Sequence, residues 1–249
     1  MASRLAGPGA DPPAQRPGKA EALATRQQNG GERLFERYLA QWGYGDYEHQ
    51  LDWLNPAKNP DYLIRTAVGE VAAEVKSFQT WDLFENLEDG LFAMQSVTKT
   101  LKPVRDRIPK AAGQLKGITG RPLVVVLDNP GNRMPLSPPN VIFAMYGDPE
   151  FVFSADRAQP GFWHASRNGE LHVLNERGIE HGSHAHLSAI AVLREQPAGV
   201  GGPAVTMDVF ETISGQCVPL PASVFAHEGD TRWGVLSPGQ YGRRSDVTQ

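Results

Sequence analysis

The run Leu123-Val124-Val125-Val126-Leu127 is five consecutive aliphatic residues with no polar side chain to turn toward water. A strand with one wet face alternates apolar and polar residues, whereas an unbroken run belongs in the middle of a sheet covered on both faces. A chain built around such a strand must supply covering layers on two sides. It does. In GERLFERYLAQWGYG, Leu34, Phe35, Tyr38, Leu39 and Trp42 recur at helical spacing, and Gly43 is placed as a helix stop. KTLKPVRDRIPKAAGQLKG reads as a second helix, with Pro109 either kinking it or starting its final part. The expected fold class is therefore α/β, a central mixed β-sheet flanked by helices.

The segment DYLIRTAVGEVAAEVKSF reads as two strands broken near Gly69, and YEHQLDWL as a strand before the turn NPAKNPD. VIFAMYG, HLSAIAVL and AVTMDVFET read as further strands. The 26 Gly and 20 Pro predict many turns and exclude an all-helical bundle. Residues 1–30, rich in both and carrying Leu5 and Leu23 as their large aliphatics, read as a disordered tail. Residues 31–249 read as a single domain, with core motifs in 31–128 and a C-terminal extension over 129–249.

One cysteine, Cys217, excludes an internal disulfide framework and fits a reducing, cytoplasmic setting. Neither a secretory leader nor a membrane span is expected, because no apolar stretch approaches the required length.

Chemistry concentrates in Pro60-Asp61 and, after 12 intervening residues, Glu74-Val75-Lys76. Glu74 and Lys76, two apart in a strand, project from one face. An antiparallel hairpin could bring the carboxylate of Asp61, which opens the preceding strand, beside that of Glu74. Two converging carboxylates repel unless a cation lies between them, and Mg²⁺ prefers such oxygen ligands while keeping waters. A lysine close by can orient one of those waters or, once it has shed its own proton, deprotonate it, and as the ammonium it can neutralise charge in a phosphoryl transition state. The rest of the strand, Val71, Ala72, Ala73 and Val75, is apolar, so a charged pair within it needs a reason.

This arrangement resembles the PD-(D/E)xK nuclease superfamily, with Pro60-Asp61 as the PD element and Glu74-Val75-Lys76 as the (D/E)xK element. The order of elements is also similar: an acidic helix, a strand, the PD strand, the ExK strand, a polar helix and a buried strand. The resemblance covers residues 31–128 and implies a restriction-endonuclease-like core with a strand-rich C-terminal extension. It implies Mg²⁺, with Mn²⁺ as a substitute, held by Asp61, Glu74 and the Val75 carbonyl, and Lys76 acting on water. It also implies a third acid from the first helix, Glu32 or alternatively Glu36, and a Gln or Lys on the second helix, Gln114 or Lys110.

Between residues 99 and 121 stand seven basic residues against one acid, Asp106, while the rest of the chain carries the remaining net charge of an acidic protein. Such segregation suits a phosphate-binding face. Lys102, Arg105, Arg107, Lys110 and Lys116 are its candidate contacts, and Arg107, Lys110 and Gln114 share one helical face. Nucleic acid is the expected partner, DNA ahead of RNA, with no membrane; a homodimer is compatible with this. The overall charge of −4 argues against indiscriminate coating of long DNA.

The histidines of HGSHAH at 181–186 read as a loop rather than a metal site, Cys217 as filler, and AGVGG at 198–202 as a loop. The expected function is a metal-dependent nuclease hydrolysing phosphodiesters. The alternative is a catalytically silent nucleic-acid-binding or interaction module on the same fold.

Overall fold

The computed structural model describes residues 30–49, 59–78, 97–129, 136–152, 162–175, 178–196, 204–213, 215–237 and 240–243. Residues 1–29 of the expected N-terminal tail and the AGVGG loop lie outside them, and Gly30, the last residue of that tail, opens a helix. Helix α1 (Gly30–Gln41) buries Leu34, Phe35, Tyr38 and Leu39. It ends before Gly43, whose φ of 75° places it in the left-handed region that glycine tolerates best. Strand β1 (Tyr47–His49) precedes the hairpin of β2 (Tyr62–Thr66) and β3 (Gly69–Ser77). The hairpin turns through Ala67 and Val68, with Thr66 Oγ1 donating to the Gly69 carbonyl (2.7 Å) and accepting from the Val68 amide (3.3 Å).

Helix α2 (Val97–Leu115) runs through both Pro103 and Pro109. The second proline cannot donate to the carbonyl of Arg105 one turn back. Packing holds the helix together nonetheless, because Leu101, Val104, Ile108, Ala111, Ala112 and Leu115 are all buried. Strand β4 (Leu123–Asp128) follows, buried along its whole length as its sequence demands.

VIFAMYG departs from the strand reading. Residues Pro138–Tyr146 form helix α3, opened by Ser137 with prolines at its first positions and closed at Gly147, where φ is 98°. Short apolar runs do not distinguish a strand from a buried helix. Here Ser-Pro-Pro supplies the helix start: proline fits the first turn, where its missing N–H is not needed. Beyond it lie the ribbons β5 (Gly147–Val152) with β6 (Phe162–Asn168) and β7 (His172–Asn175) with β8 (Gly178–His181), then β9 (Ala189–Glu195), β10 (Val205–Glu211), β11 (Thr231–Ser237) and β12 (Gln240–Arg243).

Among the described residues, eight strands make one mixed sheet in the order β1-β2-β3-β4-β9-β10-β11-β12. Strand β3 pairs antiparallel with β2 and parallel with β4, which in turn pairs parallel with β9. The C-terminal strands thus extend the same sheet. Two cores cover its faces: Ala72, Val125, Leu127, Ile190 and Val192 meet α2 and α3, whereas Val71, Ala73, Val75, Val124, Val126 and Ala191 meet α1.

The segment before β11 is gripped by Arg232, which is 3% exposed. Its guanidinium pairs with Glu211 and donates to the carbonyls of Leu220, Pro221, Ala222 and Val224. This grip helps hold Phe225 at a φ of 53°, where its buried ring meets Phe35, Tyr38 and Tyr44. Arg232→Met should lower the unfolding free energy by about 3–5 kcal/mol, the cost of breaking a buried ion pair. Urea unfolding should show this as an earlier midpoint with an unchanged slope.

Candidate active site

Along β3 the side chains alternate between two environments: Val71, Ala73 and Val75 enter the α1 core, and Ala72 enters the α2 core. Glu74 and Lys76, in step with Ala72, therefore stand on the α2 face near the carboxyl end of the strand. The β2–β3 register pairs Tyr62 with Ala73, which brings Asp61 alongside Glu74 and Val75.

Four side chains, those of Asp61, Glu74, Lys76 and Gln114, meet there. The Asp61 amide donates to Glu74 Oε2 (3.2 Å), and the Val75 amide donates to Asp61 Oδ2 (2.8 Å). Lys76 Nζ donates to Glu74 Oε1 and, from its other side, to Gln114 Oε1 of α2, each at 2.5 Å. The sequence pattern in three separate segments thus becomes one contiguous cluster.

Glu74 is fully buried, and the Lys76 side chain is about a quarter exposed. Burial is the largest influence on the Glu74 carboxyl and pushes its pKa up to about 8; the charge of Asp61 pushes the same way, against the opposing pull of Lys76. The ammonium alone does not offset the loss of water and the second carboxylate.

That imbalance is what a divalent cation would relieve. Among the described residues no three His, Cys, Asp or Glu side chains stand close enough to cage a metal. Mg²⁺ does not need such a cage, since it is commonly held by one or two carboxylates and completed by waters and substrate phosphate. Asp61 and Glu74 fit that donor set. In a strand the N–H and C=O of one residue leave along the same edge, so the Val75 carbonyl emerges on the edge where its amide meets Asp61.

Glu32 and Glu36 lie on α1, which packs against the opposite face. Glu32 is 8% exposed, with Oε2 3.9 Å from His49 Nε2, while Glu36 Oε1 accepts from the Tyr62 hydroxyl (3.2 Å). The structure therefore brings Gln114 to the cluster and gives the α1 glutamates contacts around His49 and Tyr62. His49, whose ring stacks on Tyr62 at 4.6 Å, is a neighbour the sequence did not single out.

The basic helix divides in the same way. Lys110 and Lys116 are exposed, and exposed Lys102 pairs with Asp106. Arg105 is a correction to the surface reading: it is 2% exposed and donates to Asp148 (2.6 Å) and the Phe143 carbonyl (3.2 Å). Its position, in step with buried Leu101, Ile108 and Ala112, turns it inward toward α3. Arg107 donates to the carbonyls of Ser77 and Pro103, both at 3.2 Å, and lies 4.0 Å over the Phe78 ring. It therefore borders the end of β3, one residue beyond Lys76.

No family profile, curated protein or solved structure matches this chain. His181 ends β8, residues 183–186 form a turn, and Cys217 Sγ sits 3.3 Å from Thr212 Oγ1. No helix among the described residues is long and apolar enough to cross a membrane.

The high proton affinity of Glu74 has a signed consequence. At acid pH the carboxyl is protonated in folded and unfolded chains alike. As pH rises from 4.5 to about 8, the unfolded chain releases its proton first, so the metal-free fold loses stability and then levels off. Glu74→Gln lacks this penalty, so its melting temperature should gain on the native chain over that pH range. Added Mg²⁺ should raise the melting temperature of the native chain and leave that of the variant unmoved.

Proposed function

We propose that this chain is a Mg²⁺-dependent nuclease that hydrolyses phosphodiester bonds, built on a restriction-endonuclease-like core. The carrying observation is the meeting of Asp61, Glu74, Lys76 and Gln114 at the carboxyl end of β3. Support for the core comes from the order α1-β1-β2-β3-α2-β4 and from the change from antiparallel to parallel pairing across β3.

In this reading Asp61 and Glu74 hold Mg²⁺, which supplies charge neutralisation and a more acidic water when bound. Lys76, clasped between Glu74 and Gln114, has a fixed ammonium for orienting the attacking water and taking up charge at the non-bridging phosphate oxygens. Attack forms the new P–O bond as the old one breaks; the attacking water gives up its proton to solvent, and the departing oxygen takes one up from solvent. Gln114 accepts from Lys76 and so limits its rotamers. Arg107, with exposed Lys110 and Lys116, supplies phosphate contacts along α2.

The reading is tested by incubating labelled duplex DNA, single-stranded DNA and RNA with the protein in Mg²⁺, Mn²⁺ or EDTA. Cleavage in either metal and none in EDTA is expected. Lys76→Ala should slow cleavage by roughly 10²–10⁴-fold while sparing folding and Mg²⁺ binding. Lys76→Arg should fail as well, because a planar guanidinium cannot replace a compact ammonium. Arg107→Ala should instead weaken substrate binding and lower the salt slope by about 0.9, leaving the rate at saturation unchanged. Nucleic-acid binding without cleavage in any metal would favour the catalytically silent module.

A further inference from the structure

Asp128 ends the apolar run of β4 and is 1% exposed. A carboxyl there is costly, and burial pushes its pKa up. Its Oδ2 accepts from Ser77 Oγ at 2.8 Å, whereas its Oδ1 is buried with no hydrogen-bond partner among the described residues. Ser77 and Asp128 are direct partners on the last rung of the parallel β3–β4 ladder. The same Ser77 takes Arg107 Nε on its carbonyl, and the next residue, Phe78, lies beneath that guanidinium. The end of β3 is thus tied through its side chain to β4 and through its backbone to α2.

Lys76 is the residue immediately before this knot. Its ammonium reaches both Glu74 and Gln114 only while the strand beneath it stays in register. A buried acid is a poor filler for packing alone, since an apolar or amide residue would end the strand at lower cost. We infer that Asp128 is a positioning residue of the site: through Ser77 Oγ it holds the carboxyl end of β3 and thereby the backbone that carries Lys76. The inference rests on the nuclease reading for its catalytic consequence, but its structural part can be tested without cleavage.

The test measures amide hydrogen exchange and steady-state cleavage on the full chain. Asp128→Ala should speed exchange of the Lys76, Ser77 and Phe78 amides by roughly tenfold or more, with β9 and β10 unchanged. It should lower kcat about tenfold with little change in KM, as expected when the reacting group and not substrate binding is disturbed. Ser77→Ala should reproduce both effects, and the double variant should be no worse than the more affected single, because both break one link. Asp128→Asn, which keeps an acceptor for Ser77 Oγ, should restore both. Wild-type exchange and kcat in Asp128→Ala would overturn the inference, as would loosening spread evenly across the sheet. An inactive native chain with loosening confined to β3 would sink the nuclease reading and leave the clamp standing.

Discussion

Strand β4 lies between β3 and β9 with every residue from Leu123 to Asp128 buried. It offers no face to water, so the chain must cover it twice. Leu123, Val125 and Leu127 enter the core under α2 and α3, and Val124 and Val126 enter the core under α1. Both parallel neighbours are set by this strand, and a parallel pair needs a crossover connection. One such crossover contains α2. The basic helix is therefore laid over the face of the sheet that bears Glu74 because β4 has to be covered there.

The site exploits that constraint. Glu74 is placed where a sheet normally holds aliphatic residues, and neighbouring Ala72 and Ala73 are wholly buried. A carboxylate in such surroundings is unfavourable unless charges and donors converge on it. Lys76 and the Asp61 amide do so only in part, since burial and the second carboxylate keep the proton affinity of Glu74 high. The fold thus holds a group whose charged form is under-compensated, a common property of sites that wait for a cation or a reacting proton.

Arg105 and Arg107 illustrate how far local patterning reaches. They are two apart in one basic helix, and charge counting treats them alike. In the structure Arg105 is an internal strut to Asp148, while Arg107 borders the end of β3. Two residues correspond to about 200° around a helix, so one points toward α3 and the other toward the edge of the sheet. Deciding which requires knowing where α3 packs, and α3 itself was hidden behind an apolar run that fits either a strand or a helix. The two α1 glutamates show the same limit: their acidity is plain from the sequence, but the face on which α1 lands is a tertiary matter.

Local sequence determined the elements whose signals are internal. The period of α1, the hairpin broken before Gly69, the unbroken apolar β4 and the same-face placement of Glu74 and Lys76 all follow from periodicities of 3.6 and 2. Tertiary structure decided what those periodicities cannot encode. It brought Gln114 to Lys76 across 38 residues and Asp128 to Ser77 across 51. It also turned Arg105 inward and joined the C-terminal strands to the same sheet. The physical reason is that a residue's own neighbours fix the direction of its side chain relative to its strand or helix. Which other segment waits in that direction depends on how the whole chain shares the covering of one buried strand.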